Sequence, residues 1–204
     1  EDTNYAVCAI SKILSIITKD TIVVNDVGNN EFWVSRACVL FGIQNRVLYS
    51  KSFGALGSAL GKAIGAYYAN HHPILCFIGD QGFQMNIQEL QFISQNQLPI
   101  IIVLLNNRVS GMIRDREKLN YDKFIHTTFE SGFRNPEYKK IMEGYGIPYV
   151  DYNSLSDNQI EIMISSLLHP IFLDIQIDEN IVLGPSLPKG NVCQDFHPSL
   201  STEK

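Results

Sequence analysis

Charge is scarce in this chain. Only 18% of its 204 residues are Asp, Glu, Lys or Arg, and 16 basic against 21 acidic side chains leave a formal net charge of −5. That balance excludes non-specific binding to nucleic acid or to an anionic membrane surface, because too few cations are present to displace phosphate counterions. Long hydrophobic runs are missing too. The longest, residues 98–105, is far too short to cross a bilayer. The four cysteines (Cys8, Cys38, Cys76 and Cys193) show no C-x-x-C spacing. Their mostly apolar helix or strand settings predict reduced, buried thiols rather than a disulfide or metal framework. The chain opens on Glu1 and Asp2, not on a basic stretch before an apolar segment, so no secretory signal is read and a cytoplasmic location is expected. There is no internal repeat and no low-complexity segment. No G-x-G-x-x-G follows the first strand, which sets aside a dinucleotide-binding dehydrogenase domain.

What is present is an apolar content of 45%, enough for one full α/β core. Helix-like and strand-like segments alternate. Ile10, Ile13, Leu14 and Ile17 fall on one face of an opening helix, and residues 21–25 read as the first strand. A helix follows over 32–40, a short strand over 46–50, and a helix over 57–70. Gly57, Gly61 and Gly65 recur there at every fourth position, which suits close packing of helices or, alternatively, binding. Residues 72–78 and 100–105 are buried strands, separated by a helix marked by Phe83, Ile87, Leu90 and Ile93. The polar stretch 114–134 keeps no period and reads as a mobile lid. Asn135, Pro136 and Glu137 then have the pattern of a helix start, with Asn135 as N-cap. A strand at 147–151, a capping box from Ser156 to Gln159 ahead of a helix, and a last strand at 171–177 complete the pattern. These elements predict a three-layer α/β/α domain over residues 1–178 with a six-stranded, mostly parallel sheet, followed by an irregular tail over 179–204.

In such sheets ligands bind beyond the carboxyl ends of the strands. Four consecutive strand ends carry polar and glycine-rich residues: 26–30, 51–57, 79–82 and 106–111. Asp80 and Asn107 stand 27 positions apart at two of these ends. A carboxylate, an amide oxygen and a nearby carbonyl suit a hard cation such as Mg2+, completed by water and phosphate oxygens; no Cys or His is placed to favour zinc. The competing reading is that Asp80 merely caps a helix beginning near Phe83. Gly79, Gly82 and that helix start offer free N–H groups to a phosphate. A diphosphate bridged by Mg2+ between the two loops accounts for all of these features together.

The run from Gly79 through Asp80, Gln81 and Gly82 to Leu90, continued by Leu98, Pro99, Asn106 and Asn107 and by the pair Gly111 and Met112, resembles the cofactor motif of thiamine-diphosphate enzymes, most closely the acetolactate synthase-like family. The resemblance implies the diphosphate-binding, C-terminal domain of an enzyme acting on 2-oxo acids by decarboxylation and carboligation. It implies that Asp80, Asn107 and the Val109 carbonyl hold Mg2+. It further implies that Gln81 and Gly82 offer backbone N–H groups, and Asn29 and Asn30 side-chain donors, to the diphosphate, with Val27, Gly28 and Gly79 beside them in the cofactor site. Leu56, in the turn Gly54, Ala55, Leu56, Gly57, takes the place of the apolar wedge that bends the cofactor. By the same resemblance the Gly54 carbonyl would meet the exocyclic amine, and Met112 would pack on the pyrimidine.

Several residues depart from the family pattern. Gln81 replaces a glycine, and so is expected to need a backbone geometry that glycine usually supplies. Asn29 and Asn30 replace a Gln-His pair. Arg116 stands where the synthases carry a tryptophan; it suits an anionic acceptor or is a solvated lid residue. The activating glutamate of the family belongs to a pyrimidine-binding domain that no segment here resembles, so no catalytic residue is assigned in this chain. The partner domain is expected from the same full-length chain or a separate subunit, in a homo-oligomer. A 2-oxo-acid decarboxylase subunit and a non-catalytic assembly module of the same fold are the alternatives.

Overall fold

A computed structural model describes residues 4–121 and 123–183. The tail beyond 183, with Cys193, lies outside the described residues. Six strands alternate with helices: β1 (Ile22–Asn25), β2 (Val47–Leu48), β3 (Ile74–Gly79), β4 (Ile100–Asn106), β5 (Tyr149–Asp151) and β6 (Ile171–Gln176). They form one sheet in the order β2-β1-β3-β4-β6-β5, and every pairing is parallel.

The strands are apolar throughout because both faces of the sheet are covered, and the period of two sorts their side chains into two cores. Val23, Leu75, Phe77, Ile101, Val103 and Leu105 face one way. They meet α1 (Tyr5–Ile16), α2 (Asn29–Leu40) and α8 (Asp157–Ser165), which contribute Ile10, Trp33 and Ile160. Val24, Cys76, Ile78, Ile100, Ile102 and Leu104 face the other way. There they meet α3 (Ala59–Asn70), α5 (Glu89–Gln95) and α7 (Tyr138–Tyr145) through Leu60, Leu90 and Met142. Asn4 caps α1 by accepting from the amides of Ala6 and Val7, and the capping box at Ser156 and Gln159 starts α8.

Four local expectations are corrected. The single helix read across Phe83 and Ile93 is two, α4 (Asp80–Met85) and α5, because Asn86 leaves helical geometry and donates its side chain to the Gly57 carbonyl at 3.0 Å. The stretch 114–134 is not structureless. It begins with α6 (Gly111–Tyr121), and Glu117 on that helix accepts from Ile125 N and Thr127 Oγ1 at 3.2 and 2.6 Å, binding the following loop to it. Gly61 and Gly65 are exposed and have no close neighbour among the described residues; of the three, Gly57 is the one tightly packed, with the Gly82 carbonyl 2.7 Å from where its Cβ would lie. Of the described cysteines only Cys76 is buried, and Cys8 is exposed. No helix among the described residues is long and apolar enough to cross a membrane.

Candidate functional site

After β1 the chain moves to β2 on one side, and later to β3 on the other. The loops leaving β1 and β3 therefore diverge and open a crevice beyond the carboxyl edge of the sheet. A cleft of about 460 Å3 occupies it. Val27, Gly28, Asn29 and Asn30 line it from the β1 loop, and Gly54 and Leu56 from the turn before α3. Gly79, Asp80, Gln81 and Gly82 line it from the end of β3 and the start of α4. Asn107 and Val109 enter after β4, followed by Gly111, Met112 and Arg116 from α6. Of the residues that the resemblance assigned to cofactor, metal or substrate, Ala55 alone does not line the cleft.

Glycines set how closely these segments approach. Gly28, at φ 90°, turns the chain sharply so that α2 begins at once with Asn29 and Asn30. A Cβ on Gly111 would lie 2.7 Å from Asn107 Nδ2 and 2.8 Å from Asn29 Nδ2, so two amides from different strand ends meet over this one backbone. Asn29 is 6% exposed, and neither its Nδ2 nor its Oδ1 has a hydrogen-bond partner among the described residues. A buried amide with both ends unmet is costly unless a ligand completes it. Asn30, by contrast, donates to the Val27 carbonyl at 3.1 Å.

Asp80 is 3% exposed. Its Oδ1 accepts from Gln81 N at 2.8 Å and its Oδ2 from Asn135 Nδ2 at 2.8 Å. Burial pushes its carboxyl up to about 6, against the opposing pull of those hydrogen bonds. The Arg108 amide also favours the charged form, and the four lone-pair sites of a carboxylate leave room for a cation beside these donors. Asn107 Oδ1 makes only a long contact, 3.4 Å, with Val109 N. One carboxylate, one amide oxygen and a carbonyl are hard oxygen donors, and among the described residues no group of three or more His, Cys, Asp or Glu could hold a metal. The set therefore fits Mg2+ that keeps water and takes phosphate oxygens from its ligand, rather than an all-protein cage. The unpartnered Asn29 amide fits the anion.

The expectation for Gln81 is corrected: it lies inside α4 and is not among the residues with positive φ, so no glycine-like backbone is needed. Its side chain instead accepts from Ser110 Oγ at 2.7 Å, tying the β3 end to the β4 end. Asp80 is not an N-cap either; α4 begins at Asp80, with Gly79 as its cap. Asn135 does not cap α7, whose N-cap is Glu137. It reaches the site, a role that nothing in its neighbourhood distinguishes from a helix start. Asp26 was also missed. It is 1% exposed, and its Oδ2 accepts from Gly57 N at 2.8 Å, anchoring the turn that carries Leu56. Its place at a strand's carboxyl end was the available signal.

Fold and site together define a parallel α/β protein with a polar, glycine-lined cleft at the switch point of its sheet. A family model described as "Thiamine pyrophosphate enzyme, C-terminal TPP binding domain" matches residues 26–175. The chain is 31% identical, over 89% of its length, to the acetolactate synthase isozyme 1 large subunit of Escherichia coli (strain K12), of which it covers 32%. It is 33% identical over 81% of its length to the acetolactate synthase large subunit of Pyropia yezoensis, covering 28% of that protein. Against the probable acetolactate synthase large subunit of Methanococcus aeolicus it is 32% identical over 82% of its length, again covering 28%. The chain thus belongs to the thiamine pyrophosphate enzyme family, as its C-terminal TPP-binding domain. It spans about a third or less of the length of these relatives.

Proposed function

We propose that this chain is the diphosphate- and metal-holding part of an acetolactate synthase-like enzyme that uses thiamine diphosphate and Mg2+ on 2-oxo acids. The observation that carries this reading is the meeting of Asp80, Asn107 and the unpartnered Asn29 in one cleft, within a chain of this family. When bound, thiamine diphosphate supplies an electron sink for the pair left as a 2-oxo acid loses carbon dioxide.

The chain's own residues bind and orient. Asp80, the Asn107 amide oxygen and the Val109 carbonyl would hold Mg2+. Asn29, Asn30 and the backbone N–H groups of Gln81 and Gly82 would hold the diphosphate, with Val27, Gly28 and Gly79 leaving room for it. Leu56, 37% exposed, presents an apolar surface against which the cofactor would bend. The Gly54 carbonyl and Met112 would receive the pyrimidine end, and Gly111 lets Asn29 and Asn107 converge. Arg116 is exposed at the cleft, where its guanidinium would meet the carboxylate of an incoming 2-oxo acid. Because the chain spans so little of its relatives, acid–base chemistry on the pyrimidine would come from a pyrimidine-binding domain. That domain lies in the same full-length chain or in a partner subunit, within a homo-oligomer.

The test is calorimetric titration of thiamine diphosphate into the protein joined by its pyrimidine-binding domain, with Mg2+ and again with EDTA, for wild type and Asp80→Ala. Binding that needs the metal and disappears in Asp80→Ala is expected. Binding indifferent to EDTA, or unchanged by the substitution, would sink the reading.

A further inference from the structure

Behind Asp80 runs a chain of hydrogen bonds with a definite direction. Tyr149 OH donates to Asp174 Oδ2 at 2.8 Å, and Asn106 Nδ2 donates to Asp174 Oδ1 at 3.1 Å. Asn135 Nδ2 then donates both to Asn106 Oδ1 at 3.3 Å and to Asp80 Oδ2 at 2.8 Å. A carboxylate can only accept. Asp174, 2% exposed, therefore forces the NH2 end of Asn106 toward itself and the oxygen of Asn106 toward Asn135. Asn135 in turn faces two acceptors and must present its NH2 end, while its Oδ1 is buried without a partner among the described residues. Left free, that amide would turn the unmet oxygen toward a donor; here the polarity of its neighbours holds it. The same segment grips Asp80 a second time, since Tyr138 OH donates to the Asp80 carbonyl at 3.4 Å.

We propose that Asn135 is a positioning residue for the cation site, and that Asp174, acting through Asn106, sets which end of Asn135 meets Asp80. Asn135 holds the Asp80 carboxylate in one orientation, so that the cation meets a prepared ligand. The inference rests on the reading of Asp80 as a Mg2+ ligand.

The experiment uses the full-length protein, with thiamine diphosphate binding followed by calorimetry as Mg2+ is varied. Asn135→Leu keeps the volume and removes the donor. It should raise the half-saturating Mg2+ concentration about ten- to hundredfold, the worth of one hydrogen bond to a charged group. Excess Mg2+ should restore binding to its wild-type extent, whatever stability the unmet Asn106 oxygen costs, which a merely structural loss would not allow. Asp174→Asn keeps the shape and frees both amides to flip, so it should raise the same quantity by a smaller factor; it decides the matter should Asn135→Leu not fold. Half-saturation within twofold of wild type in these variants, while Asp80→Ala abolishes metal-dependent binding, would overturn the role of Asn135 alone. Metal-dependent binding that survives Asp80→Ala would overturn the reading of the cleft and this inference with it.

Discussion

Asp26 Oδ2 accepts the Gly57 amide at 2.8 Å across 31 residues of sequence, and this bond anchors the turn on which Leu56 stands. Asn86 takes the Gly57 carbonyl from the other side at 3.0 Å. Burial raises the Asp26 carboxyl above its ordinary range, opposed by the Gly57 amide and by the nearby Lys62 ammonium. Asp26→Asn keeps an oxygen for Gly57 and removes a buried charge, whereas Asp26→Leu leaves the amide unmet. Urea denaturation should therefore show Asp26→Leu less stable than Asp26→Asn by about 1–3 kcal/mol. Calorimetry should show the Leu variant binding thiamine diphosphate more weakly as the Leu56 turn loosens.

A carboxyl whose folded value is raised stabilises the fold at low pH and costs stability as it ionises. Asp80 moves from 3.8 to about 6, so between those values the folded state holds more protons than the unfolded one. Stability should fall as pH rises through that window, by about 3 kcal/mol at most. The loss should be absent in Asp80→Asn. It should also shrink when Mg2+ and cofactor are present, because a cation favours the ionised form. Melting temperatures of both proteins at pH 4 to 7, with and without Mg2+, measure the difference.

Gly111→Ala places a methyl group 2.7 Å from Asn107 Nδ2 and 2.8 Å from Asn29 Nδ2. Both are ends of side chains that can turn aside, so the fold should lose about 1 kcal/mol or less. The two amides can no longer converge, and affinity for thiamine diphosphate with Mg2+ should fall well beyond what the melting temperature shows. Equal small losses in both would count against the convergence of Asn29 and Asn107 as the ligand site.

Arg114, 8% exposed on α6, donates to the Asp115 carboxylate and to the carbonyls of Glu179 and Ile181. It thereby holds the segment after β6 against the helix that begins at Gly111. Arg114→Met keeps much of the packing but leaves those carbonyls unmet. Hydrogen exchange should rise in residues 178–183 and at the start of α6, with about 1–3 kcal/mol of stability lost, while exchange in β3 and β4 stays slow. Unchanged exchange in residues 178–183 would show that the guanidinium does not hold that segment.

Much of this molecule is legible without coordinates. Runs such as 100–105 announce strands buried on both faces, because only a covered sheet tolerates apolar residues at every position. Asp80 and Asn107 stand out because polar residues directly after such runs must lie at the sheet's carboxyl edge. Less legible was whatever depends on a partner distant in sequence. Asn135 precedes a proline and an acid, as a helix cap would, yet its amide goes to a carboxylate 55 positions earlier. The polar stretch after Met112 has no apolar face, so periodicity could not reveal α6; its order comes from Glu117 and Arg114 reaching other segments. Gln81 was expected to need a glycine's freedom because it replaces the family's glycine, yet inside α4 its backbone is ordinary helix.

The sequence by itself determined the layered parallel fold, the strand ends at which a ligand binds, and the family to which the motif belongs. These depend on local periodicity and on residue type, which a chain carries in one dimension. The tertiary structure alone decided which donors and acceptors meet. The pairing of Asp26 with Gly57, the convergence of Asn29 with Asn107 over Gly111, and the path from Tyr149 to Asp80 all join segments brought together by folding. Buried polar groups are satisfied by whatever lies next to them in space, and the strand order that sets those neighbours is a property of the whole sheet.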